Sequence, residues 1–156
     1  MSLRIIVIYQ DLENFKKLIS LGPLIGLDIG KKKIGISISN KDLNLASPLE
    51  VIDATDLDSL HVIIQAYQPT GMIVGWPVSL DNQETEGCKF IMKVVEKINL
   101  HLNLPCFLFD ERFTSKIANN FLMEFDFSRK KRHARDDKIA ANILLSNFLD
   151  FFHNSV

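Results

Sequence analysis

The chain has 156 residues, a formal charge of −1, 47% hydrophobic residues and 24% charged ones, the profile of one soluble domain with an adequate core. That balance excludes a globally basic nucleic-acid binder, and Cys88 and Cys106 are too few for a disulfide framework or a thiolate zinc site. His61, His101, His133 and His153 lack ligand spacing, which argues against zinc, and no apolar run nears the roughly 20 residues that span a bilayer. Ile5-Ile6-Val7-Ile8 is too short for a signal sequence, so the expected location is cytoplasmic.

In chain order, residues 3–9 predict a short strand and 11–19 a short helix with Leu12, Phe15, Leu18 and Ile19 on one face. Leu21-Gly22-Pro23 breaks the chain. Residues 1–23 therefore read as an N-terminal extension packed on a main domain at 24–153. Leu24 to Asp28 reads as a buried strand, Gly30-Lys31-Lys32-Lys33 as a tight turn, and Ile34 to Ser39 as a half-buried strand of period two. A third strand follows Pro48 through Ile52.

Helical spacing then takes over. Asp56 is placed to cap a helix whose Leu57, Leu60, Ile63, Ile64 and Tyr67 share a face. Gly71 to Gly75 is a buried strand closed by Trp76-Pro77. Cys88, Ile91, Val95, Ile98 and Leu102 mark an amphipathic helix to about residue 102. Pro105 to Phe109 is a strand running into Asp110-Glu111-Arg112. Thr114 can cap a helix carrying Ile117, Ala118, Phe121 and Leu122; a basic loop follows, and a last helix runs from about Asp136 to Phe152. The order of the main domain, β-β-β-α-β-α-β-α-α, predicts an α/β fold with a mixed five-stranded sheet and helices on both faces.

In such sheets, sites gather at the carboxyl ends of parallel strands. Asp28, Gly75-Trp76 and Asp110-Glu111 fall at such ends. Asp28 alone is equally a turn-forming aspartate, and Asp110-Glu111-Arg112 equally a helix entry. Asp137 shares a helix face with Ala140, Ala141 and Leu144. The two alanines allow a close approach to the sheet, which would deliver Asp137 in the helix's first turn to the strand ends holding Asp28 and Glu111. A cap role for Asp137 is the alternative, with Asp136 competing for it. Three carboxylates in one place need a cation, and oxygen ligands without His or Cys point to Mg²⁺ or Mn²⁺.

Arg129-Lys130-Lys131-Arg132-His133-Ala134-Arg135 concentrates positive charge before the last helix. Such a run is often a solvated loop; beside an acidic metal site it supplies phosphate contacts, with Lys31, Lys32 and Lys33 adding charge at the same rim. Trp76 reads as a core cap, with stacking on an unpaired base as the other reading.

Four ordered blocks then carry a resemblance. Gly26-Leu27-Asp28-Ile29-Gly30-Lys31-Lys32-Lys33-Ile34-Gly35, Ile73-Val74-Gly75-Trp76-Pro77, Asp110-Glu111-Arg112-Phe113-Thr114-Ser115 and Asp137 to Leu145 resemble the YqgF family of Holliday junction resolvases, also called ribosomal-RNA-precursor nucleases. The resemblance spans about residues 24–150. It implies a ribonuclease-H-like fold, Mg²⁺ or Mn²⁺, and catalytic metal ligands at Asp28, Glu111 and Asp137. Candidate substrate contacts are Lys31, Lys32, Arg112, Thr114, Arg129, Lys130, Lys131 and Arg132. The expected activity is metal-dependent cleavage of structured RNA at the 5′ end of the 16S ribosomal RNA precursor, or of branched DNA, by a monomer or homodimer. Lys31 stands where the family commonly has Thr, and Trp76 where it has an aliphatic residue.

Two other classes compete. An ATP-handling domain of the sugar-kinase and actin superfamily shares the Leu27-Asp28-Ile29-Gly30 turn, but needs two such domains. A non-catalytic RNA-binding module needs only the basic rim.

Overall fold

The computed structural model describes residues 7–9, 11–77, 85–100, 102, 104–110 and 129–154, with backbone alone for 7–9 and 129–138. The elements are β1 (Val7–Tyr9), α1 (Leu12–Leu18), β2 (Leu24–Ile29), β3 (Lys33–Ser39), β4 (Ala46–Asp53), α2 (Leu57–Tyr67), β5 (Gly71–Trp76), α3 (Glu86–Asn99), β6 (Cys106–Asp110) and α4 (Arg129–Asn154). The helix expected after Thr114 lies outside the described residues.

The strands form one mixed sheet in the order β1-β6-β5-β2-β3-β4. The β2-β3-β4 meander is antiparallel, and β2, β5, β6 and β1 run parallel. The five strands expected of the main domain are present, and the strand expected in the extension joins the same sheet, making six. The extension also contributes Leu12 and Phe15 to the core. Asp11 caps α1 by accepting from the Asn14 N–H, and Phe15 packs edge-on to Phe107 and Phe148 at 5.3 and 5.9 Å.

Alternation along each strand separates two cores. Ile25, Leu27, Ile34, Ile36, Met72, Val74, Trp76, Cys106 and Leu108 face α2 and α3. Leu24, Ile73, Phe107 and Phe109 face α1 and α4 through Phe15, Leu144, Leu145, Phe148 and Leu149. Helices thus cover both faces. Trp76 is 3% exposed within the α2/α3 core, the core-cap role, which removes it as a stacking platform. Asp56 caps α2 by accepting from the Ser59 N–H and hydroxyl. α3 ends at Asn99, short of Leu102.

The last helix corrects two expectations. It begins at Arg129, not near Asp136, so the basic run is its first turns rather than a loop. Arg, Lys and Ala are good helix formers, and no Gly or Pro interrupts residues 129–135. Asp137 therefore lies in the third turn, where no cap role is open to it. Asn147 is also buried on this helix, 5% exposed. The buried face is wide because α4 packs on β2, β3 and β4 together.

Both cysteines are buried, and burial pushes the Cys106 thiol well up. The thiolate is the reactive form. The folded protein is therefore expected to resist alkylation at pH 8 and to take up two equivalents only after unfolding; rapid native labelling at Cys106 would contradict this packing.

Candidate functional site

Asp28 is half-buried at the carboxyl end of β2. It shares the α4-facing side with Leu24 and Gly26 by the alternation of the strand. Its partner across β3 is Gly35. On the other side Leu27 pairs with Val74, so Gly75 follows beside Asp28. A residue without a side chain thus flanks Asp28 on both neighbouring strands.

The same face explains how α4 is seated. Gly26, Gly35, Ser37 and Ser39 are small residues alternating with Ile25, Leu27, Ile34 and Ile36 on the opposite face. A Cβ at Gly26 would stand 2.4 Å from Ser37 Oγ, 3.0 Å from Leu145 Cβ and 3.4 Å from the Ala141 carbonyl oxygen. The Ser37 hydroxyl, fully buried, donates to that Ala141 carbonyl at 2.7 Å. Ala141 itself is fully buried. The close approach expected from the alanines is met at Ala141, and Ala140 is half-buried beside it.

α4 runs back along β2 towards the β3–β4 turn, where His153 Nε2 lies 2.6 Å from the Leu43 carbonyl oxygen. Moving from Gly26 to Asp28 advances about 6.6 Å along the strand. Moving from Ala141 to position 137 advances one helical turn, about 6 Å, in the same direction. Position 137 also falls on the stripe of Ala141, Leu144, Leu145 and Phe148 when it is extended by four residues. The helix backbone thus carries position 137 to the level of Asp28.

Asp110 ends β6 opposite Trp76 and is 2% exposed. It alternates with Phe107 and Phe109, so it shares the α2/α3 side with Cys106 and Leu108. It therefore faces away from Asp28. Glu111, Arg112 and Thr114 lie outside the described residues, as do the side chains of Arg129, Lys130, Lys131, Arg132 and Asp137. Lys31, Lys32 and Lys33 are exposed around the β2–β3 turn, which closes through the Gly30 N–H donating to the Lys33 carbonyl at 2.9 Å.

Among the described residues no group of three His, Cys, Asp or Glu side chains comes together. Asp28 fits an oxygen-ligand site for Mg²⁺ or Mn²⁺: its carboxylate is half-buried at a strand end, beside glycines. Sequence reasoning missed Gly26 and Ser37 as seats for α4. Their signal was the period-two row of small residues facing the helix.

A mixed sheet with antiparallel β2-β3-β4, parallel β5 and β6, and helices on both faces defines a ribonuclease-H-like α/β protein. The chain belongs to the YqgF/RuvX family: residues 22–151 match the family described as "RuvX: Holliday junction resolvase". It is 38% identical over 153 residues to a protein of Rickettsia akari (strain Hartford) named "Putative pre-16S rRNA nuclease", covering 95% of this chain and 99% of that one. A protein of the same name from Rickettsia felis (strain ATCC VR-1525 / URRWXCal2) is 40% identical over 149 residues, covering 92% and 97%. The fold resembles that of T. thermophilus RuvC in complex with Holliday junction substrate, with a TM-score of 0.54, 14% identity, and coverage of 85% of this chain and 94% of that one.

Proposed function

We propose that the protein is a metal-dependent nuclease that trims the 5′ end of the 16S ribosomal RNA precursor, with Asp28, Glu111 and Asp137 as its acidic centre. The observation that carries this reading is the seating of α4. The Gly26–Ser37–Ala141 contact seats α4 against β2, so that its backbone runs on towards the carboxyl ends of the parallel strands, which supports a centre shared by Asp28 and Asp137. Asp110, turned to the opposite face, is set aside, which favours Glu111 as the third ligand.

Asp28, Glu111 and Asp137 would hold Mg²⁺ or Mn²⁺, which supplies activation of water and stabilisation of charge on the scissile phosphate. The chain's own part is to gather carboxylates on one rigid seam and to keep cations around it. Lys31 and Lys32 in the β2–β3 turn, with Arg129, Lys130, Lys131 and Arg132 in the first turns of α4, hold the polyanion across that seam. Arg112 and Thr114 complete the proposed substrate contacts.

The near-full-length similarity to proteins named for pre-16S rRNA favours RNA. The family's description favours a second reading, resolution of four-way DNA junctions, which needs two acidic centres and hence a homodimer. Purified protein with Mg²⁺ or Mn²⁺ is expected to cut a 16S precursor transcript near its 5′ end, faster than a four-way junction of equal length. Preferential, paired nicking of the junction would transfer the assignment to the second reading. Binding of precursor with no cleavage under any divalent ion would leave a binding module.

The cationic turns of α4 yield a separate expectation. Changing Arg129, Lys130, Lys131 and Arg132 to Gln preserves helix propensity and removes charge. The slope of log affinity against log salt is expected to flatten by roughly 0.7–0.9 for each phosphate that is no longer neutralised. An unchanged slope would mean that this end of α4 is merely solvated.

A further inference from the structure

α3 carries Lys89, Lys93 and Lys97, all exposed, at intervals of four residues. That spacing places them on one stripe, where like charges oppose the helix. Among the described residues, the ion pair in this stretch is Lys89 with Glu86 at 3.4 Å, both side chains largely solvated; Glu96 is also exposed there. Among the described residues the row takes no part in the buried side of α3, which is Cys88, Ile91, Val94, Val95 and Ile98.

The row begins near the strand ends. The Thr85 hydroxyl and the Cys88 thiol both donate to the Pro77 carbonyl at 3.2 Å, fixing the start of α3 just beyond the end of β5. Lys31, from the turn after Asp28, meets it there. Lys31, Lys89 and Lys93 line one open depression together with Glu86 and the half-buried side chains of Phe90 and Met92.

We infer that this depression holds an unpaired strand of the nucleic-acid substrate, with phosphates on Lys31, Lys89 and Lys93 and a base against Phe90 and Met92. The inference rests on the nuclease reading and extends it to the α3 side of the rim. Three ammonium groups against one carboxylate suit a polyanion. The aromatic and thioether surfaces suit the flat face of an exposed base, which a paired duplex does not offer. The track lies across the sheet from α4, so a strand crossing the rim at Asp28 would find cations on both sides.

The test uses Asp28→Asn protein, so that substrate is retained, and fluorescence anisotropy with two RNA duplexes of identical sequence. One is blunt; the other carries a single-stranded tail of about ten nucleotides. In Lys89→Gln/Lys93→Gln, affinity for the tailed duplex is expected to fall roughly tenfold or more near 0.1 M salt, with a salt slope shallower by about 1.4. Affinity for the blunt duplex is expected to hold, and Lys93→Glu is expected to deepen the loss on the tailed one. Equal losses on both duplexes, or no loss on the tailed one, would overturn the assignment. The nuclease reading stands or falls separately, on whether Asp28→Asn abolishes metal-dependent cleavage.

Discussion

Replacing Asp28 by Asn is expected to abolish cleavage while leaving nucleic-acid binding in place. The substitution keeps the shape of a half-buried side chain at the end of β2 and removes its charge. Glycines flank it on both neighbouring strands, so no other carboxylate on those strands can take over at that level. Loss of one carboxylate from a site that gathers a divalent cation removes several kcal/mol of transition-state stabilisation, about 10²- to 10³-fold or more in rate. Binding draws on Lys31, Lys32 and the basic turns of α4, which the substitution leaves intact; removal of one acidic charge should, if anything, tighten it. The measurement is single-turnover cleavage beside anisotropy on the same substrate. Activity within a few fold of the parent protein, or activity persisting in excess chelator, contradicts the proposed centre.

Gly26→Ala should damage both stability and activity. Its Cβ would meet Ser37 Oγ at 2.4 Å and Leu145 Cβ at 3.0 Å, with the Ala141 carbonyl oxygen close behind. Overpacking of this kind costs about 1–3 kcal/mol. Displacing Ser37 also breaks the buried bond to Ala141, which adds about 1–3 kcal/mol where a polar group is left unpaired. A total of roughly 2–6 kcal/mol is expected from denaturant unfolding, with cleavage reduced because α4 is pushed off the strand that carries Asp28. Ser37→Ala removes the nearest obstruction. The double variant should therefore be less destabilised than the sum of the singles, a coupling that a mutant cycle measures directly. Additive effects would mean that a Cβ at position 26 and the Ser37 hydroxyl do not collide.

Much of this arrangement is legible in the sequence because its signals are local. The apolar run ending at Asp28, the Gly30–Lys33 turn and the period-two pattern of Ile34 to Ser39 each depend on neighbouring residues, and the β2–β3 hairpin follows. The seat of α4 is half legible. The alanines announce a close approach, but its partner, the Ser37 hydroxyl, stands 104 residues away in sequence. The start of α4 is hidden because dense charge reads as a loop, although Arg, Lys and Ala favour a helix as strongly as they favour solvent. The place of β1 is not legible either: a three-residue strand contains nothing that selects β6 as its parallel neighbour. Sequence alone does not separate Asp110 from Glu111, because the side each takes depends on where β6 ends; the strand closes on Asp110, which alternation puts on the α2/α3 side.

Whether α4 delivers Asp137 to Asp28 can be seen in a crystal structure of the protein soaked in Mn²⁺. The expected result is anomalous density bridging carboxylate oxygens of Asp28, Glu111 and Asp137, at ligand distances of about 2.0–2.2 Å. Asp137 turned away from Asp28, or Mn²⁺ density elsewhere with none between them, would contradict it.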